Sequence, residues 1–310
     1  MKQLVINAFG GPEQLQLVET DHTPLASNQV RLKMRYAGVN PIDAKTRAGL
    51  GWGAEAIKDR LPWSPGFEVM GEVLEVGSEV CRFMPGDRAF GLVAGGAYGE
   101  ELVANCDDLL PVPDEVTDSM AGGLALAGTT AWQALDRYGL LQQGERVLIS
   151  AAAGGVGHLA VQLAKAQGAT VVALASSDNH DFVNALGADE VVDYHDEAAV
   201  AAISPVDLFL DLVGGTSGES LLSQVKPNGR VVTVPTITAD KVIAAAEQRG
   251  IKATGMLKEN NQDHLVLLAD AVAQGRLKVE ISRVFDLADG AEAHRQIETG
   301  HTRGKVLLRG

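Results

Sequence analysis

The 310-residue chain is 46% hydrophobic and 21% charged, a balance that fits a globular protein with a sizeable core and room for two domains. Its formal net charge of −14 argues against general binding to nucleic acid or anionic membranes, which attract basic surfaces. It leaves room for a local pocket that takes a phosphorylated cofactor.

The opening Met1-Lys-Gln-Leu-Val-Ile6 reads as a strand, not as a signal. The longest apolar segment, Ser119 to Leu135, is rich in Gly, Ala and Thr and is shorter than a membrane span. The only cysteines are Cys81 and Cys106, with no CxxC, so no disulfide framework is expected and a cytoplasmic location is the default expectation.

Residues 1 to about 117 read mostly as β-structure. Val30, Leu32, Met34 and Tyr36 alternate with Arg31, Lys33 and Arg35, the period of a half-buried strand. Val69 to Val76 is a second apolar run. Turn signals at Gly10-Gly-Pro12, Gly77-Ser78, Pro85-Gly-Asp87 and Gly95-Gly96 suggest short strands closed into a compact barrel. From about 118 the texture becomes strand–helix alternation. Asp118 is the expected N-cap of a helix starting near Ser119. Strands are expected over 146–150, 169–175, 190–194, 206–212, 230–234 and 251–256, with helices over 155–167, 181–186, 198–203 and 264–274 between or after them. Such apolar strands separated by helices indicate a parallel sheet covered on both faces. The tail Lys305-Val-Leu-Leu308 has strand character and is expected to return to the first domain.

The most informative stretch is Ser150-Ala-Ala-Ala-Gly-Gly-Val-Gly-His158, between an apolar strand and a helical pattern. A strand that turns through glycines into a helix is how an α/β protein holds a dinucleotide pyrophosphate. Small residues admit the backbone to the phosphates, and the helix N-terminus favours an anion by roughly 0.3–1 kcal/mol. A strict GxGxxG would have glycine at 152, 154 and 157, whereas the chain has Ala152, Gly154 and Gly157. The second strand ends in Ala175-Ser176-Ser177-Asp178, and Ser176 stands where an NAD site places a ribose-binding acid. A carboxylate about 4 Å from a 2′-phosphate would cost roughly 4 kcal/mol at an effective dielectric of about 20. A serine removes that repulsion, which favours NADP(H).

None of the seven histidines forms HxxxH or pairs with a cysteine at ligand spacing, so no metal site is expected. His158 falls beside Gln162 and Lys165 on a polar helix face and is expected to be solvated, with cofactor contact open from its first-turn position. No GxSxG or Cys–His nucleophile pattern is present. The segment Asn40-Pro-Ile-Asp43 closes an apolar strand; it reads equally as turn chemistry or as side chains presented to a cleft.

Taken together, Gly38-Val-Asn-Pro-Ile-Asp43, Pro65-Gly-Phe-Glu-Val-Met-Gly71, Pro85-Gly-Asp-Arg-Ala-Phe-Gly91, Ala127-Gly-Thr-Thr-Ala-Trp-Gln-Ala134, Ala151-Ala-Ala-Gly-Gly-Val-Gly157 and Gly304-Lys-Val306 resemble the zinc-independent quinone oxidoreductase branch of the medium-chain dehydrogenase/reductase superfamily. The resemblance covers essentially the whole chain. It implies an α/β fold: a GroES-like β-barrel catalytic domain (1–117 and 270–310) and a doubly wound parallel-sheet Rossmann domain (118–269), with the active site in the cleft between them. The zinc-dependent branch has Cys and His where this chain has Asn40 and Phe67, which implies metal-free chemistry. The resemblance further implies that Asn40 sits beside the nicotinamide, with Thr130 at the same end of the cofactor. Gly154, Gly155, Val156 and Gly157 would hold the pyrophosphate. Ser176, Ser177 and Tyr194 would surround the 2′-phosphate, Val213 and Gly214 would line a ribose, and Lys305 would close the site. Many NADPH-using relatives carry Lys or Arg just after the serines, where this chain has Asn179.

The activity implied is NADPH-dependent reduction of a quinone or an α,β-unsaturated carbonyl, with Asn40 a donor to the acceptor oxygen and Tyr98 a candidate proton donor. Tyr98 reads equally as an aromatic packing under the barrel edge. Trp52 and Trp63 are candidates for the substrate pocket or for ordinary loop packing. A zinc-free alcohol dehydrogenase, an enoyl-thioester reductase and a non-catalytic NADPH-binding protein are the alternatives on the same scaffold. The expected partner is a small-molecule substrate, with no nucleic acid and no membrane, and relatives of this kind are usually homodimers.

Overall fold

The structure is a computed structural model and describes residues 1–310. It divides into two compact units, residues 1–126 with 260–310, and residues 127–259.

The first unit is built on a seven-stranded sheet. Its path runs Ile281–Asp286, Lys305–Arg309, Gln29–Val39, Glu68–Val76, Arg88–Leu92 and Leu109–Pro111, with Glu101–Asn105 also paired to Gln29–Val39. The alternation read in the sequence is present: Val30, Leu32 and Met34 are buried while Lys33 and Arg35 are exposed. It breaks after Met34, where the register with Glu68–Val76 shifts. An irregularity of this kind re-aims the side chains that follow, and Ala37, Gly38, Val39 and Asn40 are all buried. The tail does return here: Val306 stands opposite Val39 and Leu307 opposite Gly38 in an antiparallel pair. Lys305 is thereby carried to the end of the strand that delivers Asn40.

The second unit is a six-stranded, all-parallel sheet in the order 190–193, 170–175, 146–149, 206–211, 225–233, 252–255. Numbered along the unit, this is 3-2-1-4-5-6, the doubly wound arrangement whose chain direction switches beside the first strand. Its core is apolar and mostly aliphatic, with Leu148, Val172 and Val231 packed with the one aromatic ring of the cluster, Phe209, all fully or almost fully buried.

Three differences from the sequence reading have local causes. The helix expected near Ser119 spans Asp118–Gln133, and its cap is Thr117, whose Oγ1 accepts the Met120 N–H at 3.3 Å. Asp118 lies in the first turn and pairs with Arg88 instead. The helix runs from one unit into the other, so the units divide at 126/127 rather than at 117/118. The second crossing is at 259/260, before the Gln262–Ala273 helix, where the sequence placed it at 269/270. Finally, Asn40-Pro-Ile-Asp43 opens a helix, Pro41–Arg47, with Pro at its first position, where a missing N–H costs nothing.

Candidate active site

In the first unit, the sequence-selected residues Asn40 and Lys305 meet. The Lys305 ammonium donates to Asn40 Oδ1 and, at 2.6 Å, to Glu68 Oε1. Asn40 Nδ2 donates to Glu68 Oε1 at 2.9 Å and to the Gly38 carbonyl at 3.3 Å. The second Glu68 oxygen accepts the Leu126 N–H at 2.8 Å. All three side chains are buried. Gly38 leaves the room for this: a Cβ there would lie 1.9 Å from Glu68 Oε1. A buried charge needs a partner and satisfied hydrogen bonds, and here both ions have them.

Behind Asn40 stands Asp43, the third residue of the helix that Asn40 caps. Its carboxylate accepts the Asn40 N–H at 2.8 Å and the Gly66 N–H at 3.2 Å. Burial pushes its pKa from 3.8 to about 7; Glu68 adds to the rise, while the Asn40 N–H, the Lys305 charge and the Tyr98 hydroxyl hold it down. Tyr98 is fully buried in the barrel core and gives its hydroxyl to Asp43, with His294 Nε2 3.4 Å away. Burial, with Asp43 and Glu68 beside it, holds the Tyr98 phenol well above its ordinary range. His294 is held neutral, its pKa pushed down to about 3 by burial and by Arg47.

Two expectations change here. Tyr98 is not an open proton donor: its side chain has no exposed surface and its hydroxyl is engaged inside the barrel. Asn40 is not a free donor either, because both hydrogens of its amide are already given. Lys305 holds Oδ1, which fixes that orientation. The ammonium has a third hydrogen beyond the two it gives to Asn40 and Glu68. Phe67 packs between Trp52 and Trp63, with ring centroids 6.5 and 5.7 Å away; Trp52 is half-exposed and Trp63 buried.

In the second unit, the glycine turn has the form expected. Ala151 takes a left-handed φ of +47°, and Gly154 N–H donates back to its carbonyl at 2.9 Å. A Cβ at Gly157 would lie 2.1 Å from that carbonyl oxygen and 2.8 Å from Ala152 Cα. Glycine at 157 is what lets the Gly157–Ala166 helix start against the first strand, and Gly155 and Val156 complete the approach to its N-terminus. That cradle fits a dinucleotide pyrophosphate. His158, expected in solvent, is fully buried: its Nδ1 folds back to the Gly154 carbonyl at 2.9 Å and braces the turn. Thr130 is buried in its helix.

Ser176 and Ser177 follow the second strand, and Tyr194 follows the third, at neighbouring carboxyl ends. Ser176 Oγ accepts from Asn179 at 2.9 Å. After the fourth strand, the Val213 and Gly214 N–H groups both donate to buried Asp211, at 3.1 and 2.8 Å. Gly214 has a φ of +76°, and a Cβ there would strike Thr238. The carboxyl ends of the strands are where open α/β sheets bind ligands.

Glu68, His294 and Asp211 are not singled out by the sequence, and Asp43 is marked there only as the end of the Asn40-Pro-Ile-Asp43 segment. Its role has a sequence signal, since Asn followed three residues later by an acid is a helix-capping pattern. For Glu68 the signal is an acid set directly against the apolar Val69-Met70, four residues before the next acid, Glu72.

Residues 26–114 match the alcohol dehydrogenase GroES-like domain and residues 186–308 the zinc-binding dehydrogenase domain. The mitochondrial NAD(P)H oxidoreductase RTN4IP1 of Mus musculus is 30% identical, over 99% of this chain and 89% of its own length. The quinone oxidoreductase from Coxiella burnetii superposes with a TM-score of 0.95 at 41% identity, covering 100% of this chain and 99% of its own. The chain belongs to the quinone oxidoreductase branch of the medium-chain dehydrogenase/reductase superfamily. It is an NAD(P)H-dependent oxidoreductase of that family. The quinone oxidoreductase of Escherichia coli complexed with NADPH shares the fold across the full length of both chains, at 26% identity and a TM-score of 0.90.

Proposed function

We propose that the chain catalyses NADPH-dependent, metal-free reduction of a quinone or an α,β-unsaturated carbonyl. When bound, the nicotinamide supplies the hydride. The observation that carries the reading is the buried Asn40–Lys305–Glu68 cluster. It provides a fixed cation, with its counter-ion built in, at the residue the family resemblance sets beside the nicotinamide. Preorganised charge of this kind stabilises a developing oxyanion without reorganisation at the moment of reaction. Asn40 is the anchor and the third Lys305 N–H polarises the acceptor oxygen.

The metal-free reading is supported by the donor set. Asn40 and Phe67 offer a neutral amide and a hydrocarbon ring at the two positions, and no cluster of three His, Cys, Asp or Glu side chains is placed to hold a metal ion. The NADP(H) reading is supported by Ser176 at the end of the second strand, and by the E. coli relative that binds NADPH. Gly154 to Gly157 would hold the pyrophosphate, Ser176, Ser177 and Tyr194 the 2′-phosphate. Thr130, Val213 and Gly214 would contact the nicotinamide end and a ribose. A homodimer formed at the sheet-edge strand Lys252–Gly255 and a cytoplasmic location, supported by two free cysteines, complete the proposal.

The test is stopped-flow NADPH oxidation against quinones, enones, enoyl thioesters and aldehydes, with and without a chelator. Turnover of quinones or enones that survives chelation is expected. Inactivity toward every quinone and enone, or loss of activity on chelation, overturns the reading. Ser176→Asp is expected to shift preference toward NADH by at least about tenfold, from the repulsion of a carboxylate by the 2′-phosphate.

A further inference from the structure

Residues 166–225 contain no lysine and no arginine. They include the whole of the second and third strands of the parallel sheet and both segments that leave their carboxyl ends. The nearest earlier cations lie at the other end of the sheet. Arg146 pairs with Glu190, and Lys165 pairs with Asp189 at 2.8 Å, at the start of the strands. Within the stretch only His180 and His195 can carry positive charge. His180 opens a helix with its Nε2 buried. His195 has a 64% exposed side chain, so its ring is open to a ligand.

His195 is also held in place. Asp193 accepts its backbone N–H at 3.0 Å and its ring Nδ1 at 2.8 Å, and accepts the Ser177 N–H as well. Asp193 stands opposite Ala175 in the sheet register, so Ser176–Ser177 and Tyr194–His195 leave the sheet side by side. The Tyr194 ring lies on the imidazole, with centroids 4.1 Å apart. With Nδ1 given to Asp193, the remaining ring nitrogen, Nε2, is left for a ligand.

We propose that His195 is the residue that reads the 2′-phosphate of NADP(H), with Asp193 as its positioning residue. The proposal rests on the NADP(H) reading above and assigns the missing cation in it. Asp193 and Tyr194 face the ring directly, Asp196 and Glu197 follow it in the chain, and Asp178 and His180 lie in the turn that leaves the adjoining strand. With hydrogen on both ring nitrogens, the imidazole donates from Nδ1 to Asp193 and from Nε2 to the phosphate, a charge-assisted bond at each end.

The test is binding, with no acceptor present. NADPH and NADH are titrated into the full chain by nicotinamide fluorescence at one fixed pH. His195→Gln is expected to lower the ratio of NADH to NADPH dissociation constants about tenfold from the wild type, the scale of one charge-assisted hydrogen bond, and His195→Lys, which keeps a cation there, to leave it high. Asp193→Ala should lower the ratio as well, and Asp193→Asn, which still accepts from Nδ1, should restore it. A preference for NADPH that survives in His195→Gln overturns the His195 assignment and leaves the NADP(H) reading standing. No preference for NADPH in the wild type overturns both.

Discussion

The Lys305 ammonium lies 2.6 Å from the Glu68 carboxylate, and their side chains are only 2% and 1% exposed. The two residues are 237 positions apart, one in the tail and one in the fourth strand of the barrel path. Breaking a buried pair by removing one partner strands the other charge, at a cost of about 3–5 kcal/mol. Lys305→Met is expected to destabilise the chain on that scale in urea unfolding. Lys305→Met combined with Glu68→Leu should recover part of the loss, since a buried pair can be replaced by packed apolar groups at little cost, while the Asn40 amide and the Leu126 N–H lose the acceptor that Glu68 gave them. Hydride transfer should nevertheless stay at least about a hundredfold slow in the double variant, the scale of losing one preorganised oxyanion donor. A single variant as stable as the wild type would show that the ion pair is not a structural requirement. A double variant of normal rate would remove Lys305 from the chemistry.

Asp43 makes stability depend on pH in an unusual direction for a carboxylate. Its pKa is raised from 3.8 to about 7, chiefly by burial. The unfolded chain therefore releases this proton before the native chain does. The contribution is fully present below about pH 4 and is lost as pH rises toward 7, amounting to roughly 4 kcal/mol in the limit of an isolated site. Asp43→Asn removes the ionisation and also one of the acceptors now serving the Asn40 and Gly66 N–H groups. The variant is therefore expected to be less stable than the wild type at about pH 5 and to close that gap by about pH 8, where the wild type bears the buried charge. Paired thermal melts across that range measure the difference, and a gap that does not narrow contradicts the shifted titration.

The parts of this molecule that were legible in the sequence are those encoded locally. The glycine turn, the serines after the second strand and the parallel strands announce themselves within about ten residues each, because backbone geometry and burial on both faces constrain nearby positions. The tail could be read as a strand, and the absence of metal-ligand spacing could be counted. The polar cluster could not be read in the same way. Asn40 reads as a donor because its side chain can donate, yet Glu68 and the Gly38 carbonyl take its two amide hydrogens and Lys305 its oxygen, and that depends on which strands pair. His158 was misplaced for a related reason. A helical projection gives the face of a residue but not a first-turn side chain folding back onto its own turn at Gly154.

Gly157 tests whether the cradle depends on close backbone approach. Its missing Cβ would overlap the Ala151 carbonyl, which cannot rotate away as a side chain could. Gly157→Ala is expected to force the helix away from the first strand, costing about 1–3 kcal/mol of stability as overpacked sites do. Displacing the turn should weaken NADPH binding at least about tenfold, since phosphate recognition at a helix N-terminus depends on that approach. Calorimetric titration and a thermal melt on the same preparation measure both effects. Unchanged NADPH affinity in a destabilised variant would separate packing at 157 from cofactor binding.

Tyr98 offers a sharper division between structure and chemistry. The hydroxyl binds Asp43 and stands 3.4 Å from His294, with the ring buried in the core. Tyr98→Phe keeps the ring and removes one buried hydrogen bond, leaving the Asp43 side short of a donor. The expected cost is about 1–3 kcal/mol of stability. Removing a donor that helps hold Asp43 down should also raise the pH at which that carboxyl ionises. If Tyr98 only positions Asp43 and, through it, Asn40, single-turnover hydride transfer at a pH where Asp43 is protonated should stay within about fivefold of the wild type, well short of the 10²–10⁴-fold contribution typical of a general acid. A loss of about a thousandfold with normal stability would instead make the phenol the proton donor, and the barrel would then have to open to expose it.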